Sequence, residues 1–301
     1  MSAVASSHLV RFALPGFETM LPAAPGQTGR LIVERFANRE LSLGIEAEVV
    51  GKPCALLGSV APPDEQLLSV ALAADTLKSQ GAARVVALLP YLGYARQDTE
   101  EPKKGLGIAW VGRILRACGV DELITIDIHS RRAAELLEMP VTSVSPASLF
   151  AAQMKQEGLL DATIVAPDEG AIERSRAVAE SAGITGPVAY MRKERTATGV
   201  VHRELVGDVG RRVVVVDDIL DTGGTLVSCC RELHRRGAVE MAAMVTHGLF
   251  TGERWRELLP LMAGLYVTDS VPSIAARPPE GVRVLSVRTL IEEAVASAAH
   301  P

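Results

Sequence analysis

The chain has 301 residues, 48% of them hydrophobic and 22% charged, which is enough apolar sequence for roughly two domains with separate cores and too much for a disordered polymer. A formal net charge of −5 excludes bulk attraction to nucleic acid or to anionic membranes, and leaves room for a local basic site that takes a small phosphorylated ligand. No apolar run approaches the ~20 residues that cross a bilayer, and the opening MSAVASSHLVRFALPGF has no basic region leading into a long apolar stretch, so the sequence points to a soluble cytoplasmic protein.

Short apolar runs then alternate with amphipathic stretches of helical length. Residues 54–60, CALLGSV, predict a buried strand, and residues 64–81 a helix with Asp64 near its start and Gly81 just past its end. RVVALLP (84–90) predicts a strand, GIAWVGRILRACG (107–119) a helix and ELITIDI (122–128) another strand. A domain boundary falls around residues 142–150, where TSVSPASLF separates two runs of β-α units, giving domains 1–146 and 147–301. ATIVAP (162–167), AIERSRAVAESAG (171–183), RRVVVVDD (211–218), TLVSCCRELHRRG (225–237) and EMAAMVTHG (240–248) continue the alternation, and VLSVRTLIEEAVASAA (284–299) reads as a strand end followed by an amphipathic helix. The pattern predicts an α/β fold of mostly parallel sheets flanked by helices, and two similar-sized halves fit an old duplication. Cys54, Cys118, Cys229 and Cys230 lack the spacing of a zinc site or a disulfide framework and read as reduced, buried thiols.

The most informative stretch is VVVVDDILDTGGTL, residues 213–226. Four β-branched residues without in-out alternation suit a central parallel strand covered on both faces. Ligands of open α/β sheets collect at the carboxyl ends of the strands, where Asp217 and Asp218 fall. Asp221, Thr222, Gly223, Gly224 and Thr225 follow, then a helix from about Leu226; glycines that let N–H groups converge, a helix start and two hydroxyls together form a phosphate cradle. Carboxylates beside a phosphate repel it unless they hold something else, either sugar hydroxyls or a divalent cation. A phosphorylated sugar satisfies both halves of the motif.

Residues 213–226 resemble the phosphoribosyl-diphosphate (PRPP) binding loop shared by type I phosphoribosyltransferases and ribose-phosphate diphosphokinases, and do not choose between them. Other segments do. PYLGYARQD (90–98) resembles the diphosphokinase segment that contacts ATP, which implies that role for Arg96 and Gln97. DIHS (127–130) resembles the strand end that provides a metal-binding histidine, here His129, and APDEGAIERSRAVAE (166–180) resembles the family's Pro-Asp-x-Gly turn, which makes Asp168 a second metal-associated group. MRKERTATGVV (191–201) resembles the mobile catalytic loop and implies catalytic roles for Lys193 and Arg195. VTHGLFTG and LYVTDSVP extend the resemblance from about Phe36 almost to the end.

The resemblance implies two type I phosphoribosyltransferase-like domains, the last helix packing on the first of them. It also implies transfer of the diphosphoryl group of Mg-ATP to the anomeric hydroxyl of ribose 5-phosphate, giving PRPP and AMP. Asp221 to Thr225 would hold the 5-phosphate, Asp217 and Asp218 the ribose hydroxyls, and His129 and Asp168 the Mg2+ ion. A homo-oligomer built from dimers, of the hexameric type common in the family, is implied as well. The sequence departs from the family in three places. Asn38, Arg39 and Glu40 stand where an Asp-Gly-Glu turn reaches a neighbouring subunit's ATP, Glu100 and Glu101 reverse the charge of a usually basic stretch, and Glu194 replaces a common basic residue beside Lys193. These departures keep rival readings open: a diphosphokinase or kinase with another pentose phosphate or nucleotide donor, a non-catalytic synthetase-like subunit, or a phosphoribosyltransferase.

Overall fold

A computed structural model describes residues 9–21, 28–195 and 201–298, without the side chains of 193–195, 201–203 and 275. The chain divides into two compact units, residues 1–144 with 287–301, and residues 145–286.

In the first unit, β1 (Val10–Ala13) is followed by an antiparallel hairpin, β2 (Arg30–Arg35) and β3 (Leu41–Glu46). Next come β4 (Pro53–Leu57), α1 (Glu65–Ser79), β5 (Arg84–Leu88), α2 (Gly107–Ala117), β6 (Glu122–Ile126), α3 (Arg131–Leu136) and β7 (Val141–Val144). Strands β1-β4-β5-β6-β7 form one sheet in that order, every pairing parallel. Cys54 to Leu57 are fully buried, and α1 lays Leu67, Val70, Ala74 and Leu77 against β4 and β5, the apolar spacing that made it legible as a helix. It ends where Gly81 takes φ +93°, a left-handed stop that suits glycine. Asp64 precedes α1 without capping it; its carboxylate accepts the hydroxyl of Tyr94 instead.

The second unit runs α4 (Ala147–Gln156), β8 (Thr163–Ala166), a 3-10 turn Glu169–Ala171, α5 (Ile172–Ser181), β9 (Ala189–Arg195), β10 (Val201–Val206), β11 (Arg212–Leu220), α6 (Gly224–Arg235) and β12 (Glu240–Gly248). A 3-10 segment Arg254–Leu261, β13 (Gly264–Thr268), α7 (Pro272–Ala276) and β14 (Val282–Leu285) complete it, and α8 (Arg288–Ala298) belongs again to the first unit. The seven strands lie in the order β10-β9-β8-β11-β12-β13-β14, parallel except for the β9–β10 pair. Strand β11 sits in the middle. Val214 and Val216 join Ile164, Ala242, Met244 and Tyr266 under Phe150 and Met154 of α4 and Val178 of α5, while Val213 and Val215 are as deeply buried on the opposite face. That double burial, at about 1.5–3 kcal/mol per fully buried valine-sized side chain, explains a run without alternation.

Two expectations are revised. Residues 191–195, which resemble a mobile loop, lie in β9, whose pairing with β10 sets Lys193 opposite Arg203 and Arg195 opposite Val201 and satisfies the backbone as a ladder. Residues 196–200, the rest of that segment, lie outside the described residues. Helix α6 begins at Gly224, earlier than Leu226, because Gly223 supplies the turn at φ +84° and the N–H of Val227 already bonds the Gly223 carbonyl at 2.9 Å. Among the described residues no helix is long and apolar enough to cross a membrane.

Candidate active site

In the second unit the acidic pair sits in the last part of β11, almost out of solvent, with Asp217 8% and Asp218 6% exposed. The Asp217 carboxylate accepts the N–H of Asp218 at 3.0 Å, and Asp218 faces Arg174 of α5 at 3.5 Å. Asp168, just past β8, folds back so that its Oδ1 accepts the N–H of Gly170 at 3.0 Å and opens the 3-10 turn that leads into α5. Burial first, then the charges of Asp218 and Asp168, push the Asp217 carboxyl well above the usual carboxylate range, against the opposing pull of Arg174. Two neighbouring carboxylates thus act on buried Asp217, and Arg174 opposes them. Sequence reasoning passed over Arg174, although a signal existed: it lies three residues after Ala171 and four before Val178 on the buried face of a helix, where a charge is retained only when it has a partner.

The loop after β11 is braced from the loop after β12. The N–H groups of Leu249 and Phe250 donate to the Leu220 carbonyl at 2.8 and 3.2 Å, and that of Thr251 to Asp221 at 3.2 Å. Trp255 is buried, donates its indole N–H to Gly252 at 3.1 Å and stands edge-on to Phe250 with ring centroids 4.8 Å apart. A Cβ at Gly223 would lie 2.6 Å from the Cα of Trp255, so close approach and positive φ both require glycine. Gly223 at the N-cap of α6 has no side chain to cap it, and a helix start of this kind suits an anion. Behind the cradle, the Ser270 hydroxyl links His247 Nδ1 at 2.8 Å to the Thr246 carbonyl at 3.1 Å, tying the ends of β12 and β13. Cys229 and Cys230 are buried in α6, and burial pushes the Cys230 thiol up to about 12, as an inert core residue requires.

In the first unit, Gly93 of PYLGYARQD passes so close to the chain that a Cβ would overlap the Val60 carbonyl. Tyr94 takes φ +67°, and its hydroxyl is pushed up to about 12 by the hydrogen bond to Asp64, helped by burial. Trp110 lies edge-on to Tyr94 with centroids 5.6 Å apart. Arg96 and Gln97 follow, exposed, and Gln97 donates its N–H to Tyr94 at 2.8 Å. Asp98 accepts the Ser130 hydroxyl at 2.5 Å, and its carbonyl accepts Arg132 Nε at 2.9 Å. Because Ser130 follows His129 and caps α3 through the Ala133 N–H at 3.0 Å, these bonds bring the segments carrying Arg96, Gln97 and half-buried His129 together.

Asn38, Arg39 and Glu40 are exposed at the tip of the β2–β3 hairpin. The Asn38 side chain accepts the Glu40 N–H at 3.1 Å, Arg35 donates to the Arg39 carbonyl at 2.9 Å, and Arg39 itself sits at φ +73°. The turn therefore keeps a backbone that suits glycine while carrying arginine, at a cost of roughly 1 kcal/mol. Arg39→Gly is expected to raise stability by about 0.5–1 kcal/mol in urea unfolding, with no change in far-ultraviolet circular dichroism. Glu101 pairs with Lys104, which neutralises part of the charge reversal at residues 100–101. Among the described residues no group of three or more His, Cys, Asp or Glu side chains is arranged as a metal cage.

Comparison with known proteins agrees with this geometry. Residues 24–119 match the N-terminal domain of ribose phosphate pyrophosphokinase, and residues 149–260 match the phosphoribosyl transferase domain. The ribose-phosphate pyrophosphokinase of Campylobacter jejuni is 30% identical over 272 residues, covering 89% of this chain and 87% of that protein; that of Vibrio cholerae is 32% identical over 274 residues, covering 89% and 87%. The crystal structure of phosphoribosylpyrophosphate synthetase from Mycobacterium smegmatis superposes with a TM-score of 0.84 at 25% identity, over 97% of this chain and 98% of that one. An acid pair and glycine loop in the second unit, the Arg96–His129 neighbourhood in the first, and relatives that match both along nearly their whole length have one common source: the chain belongs to the ribose-phosphate pyrophosphokinase family.

Proposed function

We propose that this protein transfers the diphosphoryl group of ATP to the anomeric hydroxyl of ribose 5-phosphate, releasing AMP and forming PRPP. The observation that carries the reading is the juxtaposition of a buried acid pair, Asp217 and Asp218, with the helix start behind Gly223. A sugar diol supplies donors to the acids, and the 5-phosphate supplies an anion to the N–H groups at Asp221 to Thr225. The exposed pair Arg96 and Gln97 takes the adenine nucleotide. Lys193 and Arg195 meet the charge that develops on the transferring phosphoryl oxygens, since this reaction needs alignment and electrostatic stabilisation more than covalent help.

Mg2+ fits the residues present: the charges of Asp218 and Asp168 both bear on buried Asp217 with Arg174 opposing them, and Mg2+ is ordinarily held by one or two carboxylates together with substrate phosphates rather than by a complete protein cage. Asp168 would hold it, and the ion would neutralise nucleotide phosphate charge; the family resemblance implies a metal-associated role for His129 of the first unit as well. The reading includes a cytoplasmic homo-oligomer built from dimers, in which the Asn38-Arg39-Glu40 turn contributes to nucleotide binding.

The test is to incubate the purified protein with magnesium, ATP and ribose 5-phosphate and to follow phosphorus by NMR. AMP and PRPP rising together are the expected result. Formation of the corresponding nucleoside monophosphate only from another nucleotide, or of AMP only with another pentose phosphate, would move the activity to that substrate, a shift that arginine in place of glycine at position 39 would favour. No transfer with any of them would leave a non-catalytic subunit.

A further inference from the structure

We infer that Arg254 is a substrate-binding residue that holds the 5-phosphate of ribose 5-phosphate at the start of α6, an inference that rests on the function proposed above. Arg254 opens the 3-10 segment after β12, immediately before buried Trp255, whose backbone lies against Gly223. This fixes the backbone of residue 254 relative to the phosphate loop, although its side chain is exposed. A Cβ at Gly224 would lie 3.3 Å from Arg254 Nη1 and 3.6 Å from its Cζ, with the Thr222 hydroxyl 3.9 Å away on the same bare face. Unlike Gly223, Gly224 has no positive φ that calls for glycine. Its missing side chain lets the guanidinium lie directly over the first turn of the helix.

The charges around it make the arrangement unfavourable without a ligand. A helix N-terminus carries about half a positive charge, and a cation there is destabilising by a few tenths of a kcal/mol to about 1 kcal/mol. The neighbouring acids are engaged elsewhere: Glu253 pairs with Arg256, and Glu257 with Arg231 at 2.8 Å. Among the described residues no carboxylate pairs with Arg254. A guanidinium, a helix start, a threonine hydroxyl and a bare glycine face converge on one spot, and all of them suit a phosphate. The bland alternative, a solvated surface arginine, does not account for the glycine beneath it or for its place at the positive end of a helix.

The experiment compares wild type, Arg254→Ala and Arg254→Lys by calorimetric titration with ribose 5-phosphate and separately with Mg-ATP, together with KM and kcat for each substrate. Arg254→Ala is expected to weaken ribose 5-phosphate by about tenfold or more, the scale of one charge-assisted contact. Mg-ATP binding and kcat at saturating sugar phosphate stay within twofold, and Arg254→Lys recovers part of the loss as a point charge. Ribose 5-phosphate affinity in Arg254→Ala within twofold of wild type overturns the inference, as does an equal loss for both substrates, which would mark a structural role, or a wild type that binds no ribose 5-phosphate. If wild type binds the sugar phosphate, loses it on Arg254→Ala and yet forms no PRPP, the role of Arg254 stands and the proposed reaction falls. If PRPP forms and the variant is unaffected, the reverse holds.

Discussion

Asp217→Asn is expected to make the ligand-free protein more stable while weakening its hold on ribose 5-phosphate by about 10–100-fold, the scale of losing a hydrogen bond to a charged acceptor. The amide is nearly isosteric and can still accept the N–H of Asp218, so the strand end is kept and one of the mutually repelling buried charges is removed. The gain at neutral pH is about 1–3 kcal/mol, seen as a few degrees in the melting temperature. The sign of the pH dependence follows from the direction of the shift. An unfolded Asp titrates near 3.9, whereas burial and the two neighbouring acids hold the folded group well above that. From about pH 4 upward the folded protein retains a proton that the unfolded chain has released, so wild-type stability falls as pH rises to the folded value and stays low beyond it. Urea unfolding at pH 5 and pH 8 should therefore show a larger advantage for Asp217→Asn at pH 8. A variant less stable than wild type at both would mean that the carboxylate is matched by its surroundings. Stability given up at a binding site for the sake of its ligand is a common trade.

Lys193→Ala should have the opposite signature. It is expected to lower turnover by at least ~100-fold, the effect of one lost preorganised electrostatic contact, with little change in ribose 5-phosphate affinity. Lys193 lies in β9, a strand of a paired hairpin, so its backbone has a defined place in the sheet before substrate arrives. Single-turnover kinetics with saturating sugar phosphate will separate the two variants. Asp217→Asn acts on binding, Lys193→Ala on the chemical step. Near-normal turnover in Lys193→Ala would remove that residue from catalysis.

What was legible in the sequence was legible through periodicity and local chemistry. The run at 213–216, the α1 pattern and the glycine pair at 223–224 announce themselves because strand burial, helix spacing and turn geometry act over a few residues. The family resemblance rested on the same stretches and reached the right fold. The hairpins β2–β3 and β9–β10 were missed because their strands are only half-buried or are charge-rich and owe their form to pairing rather than to a fully buried apolar face. Arg174, Arg254 and the Tyr94–Asp64 bond were missed for another reason. Each acquires meaning from a partner far along the chain: Asp218, Gly224 and Asp64 become neighbours only when the sheet is assembled.

The return of α8 to the first unit has a consequence for how the protein comes into being. Leu88, Ile124, Ile126 and Val144 lie beneath Leu290, Ile291 and Ala294, and Arg84 reaches the carbonyl of Ala298 at 3.4 Å. On the ribosome, the strands that carry this apolar face emerge first, and residues 145–286 emerge next, before the helix that covers it has been made. The second unit can thus complete its own core while the first is still open on one side, so the part of the chain synthesised first is the last to be finished. A nascent chain of this kind presents a sticky β-surface for the whole time needed to translate the intervening 142 residues, which makes that surface a natural target for a chaperone.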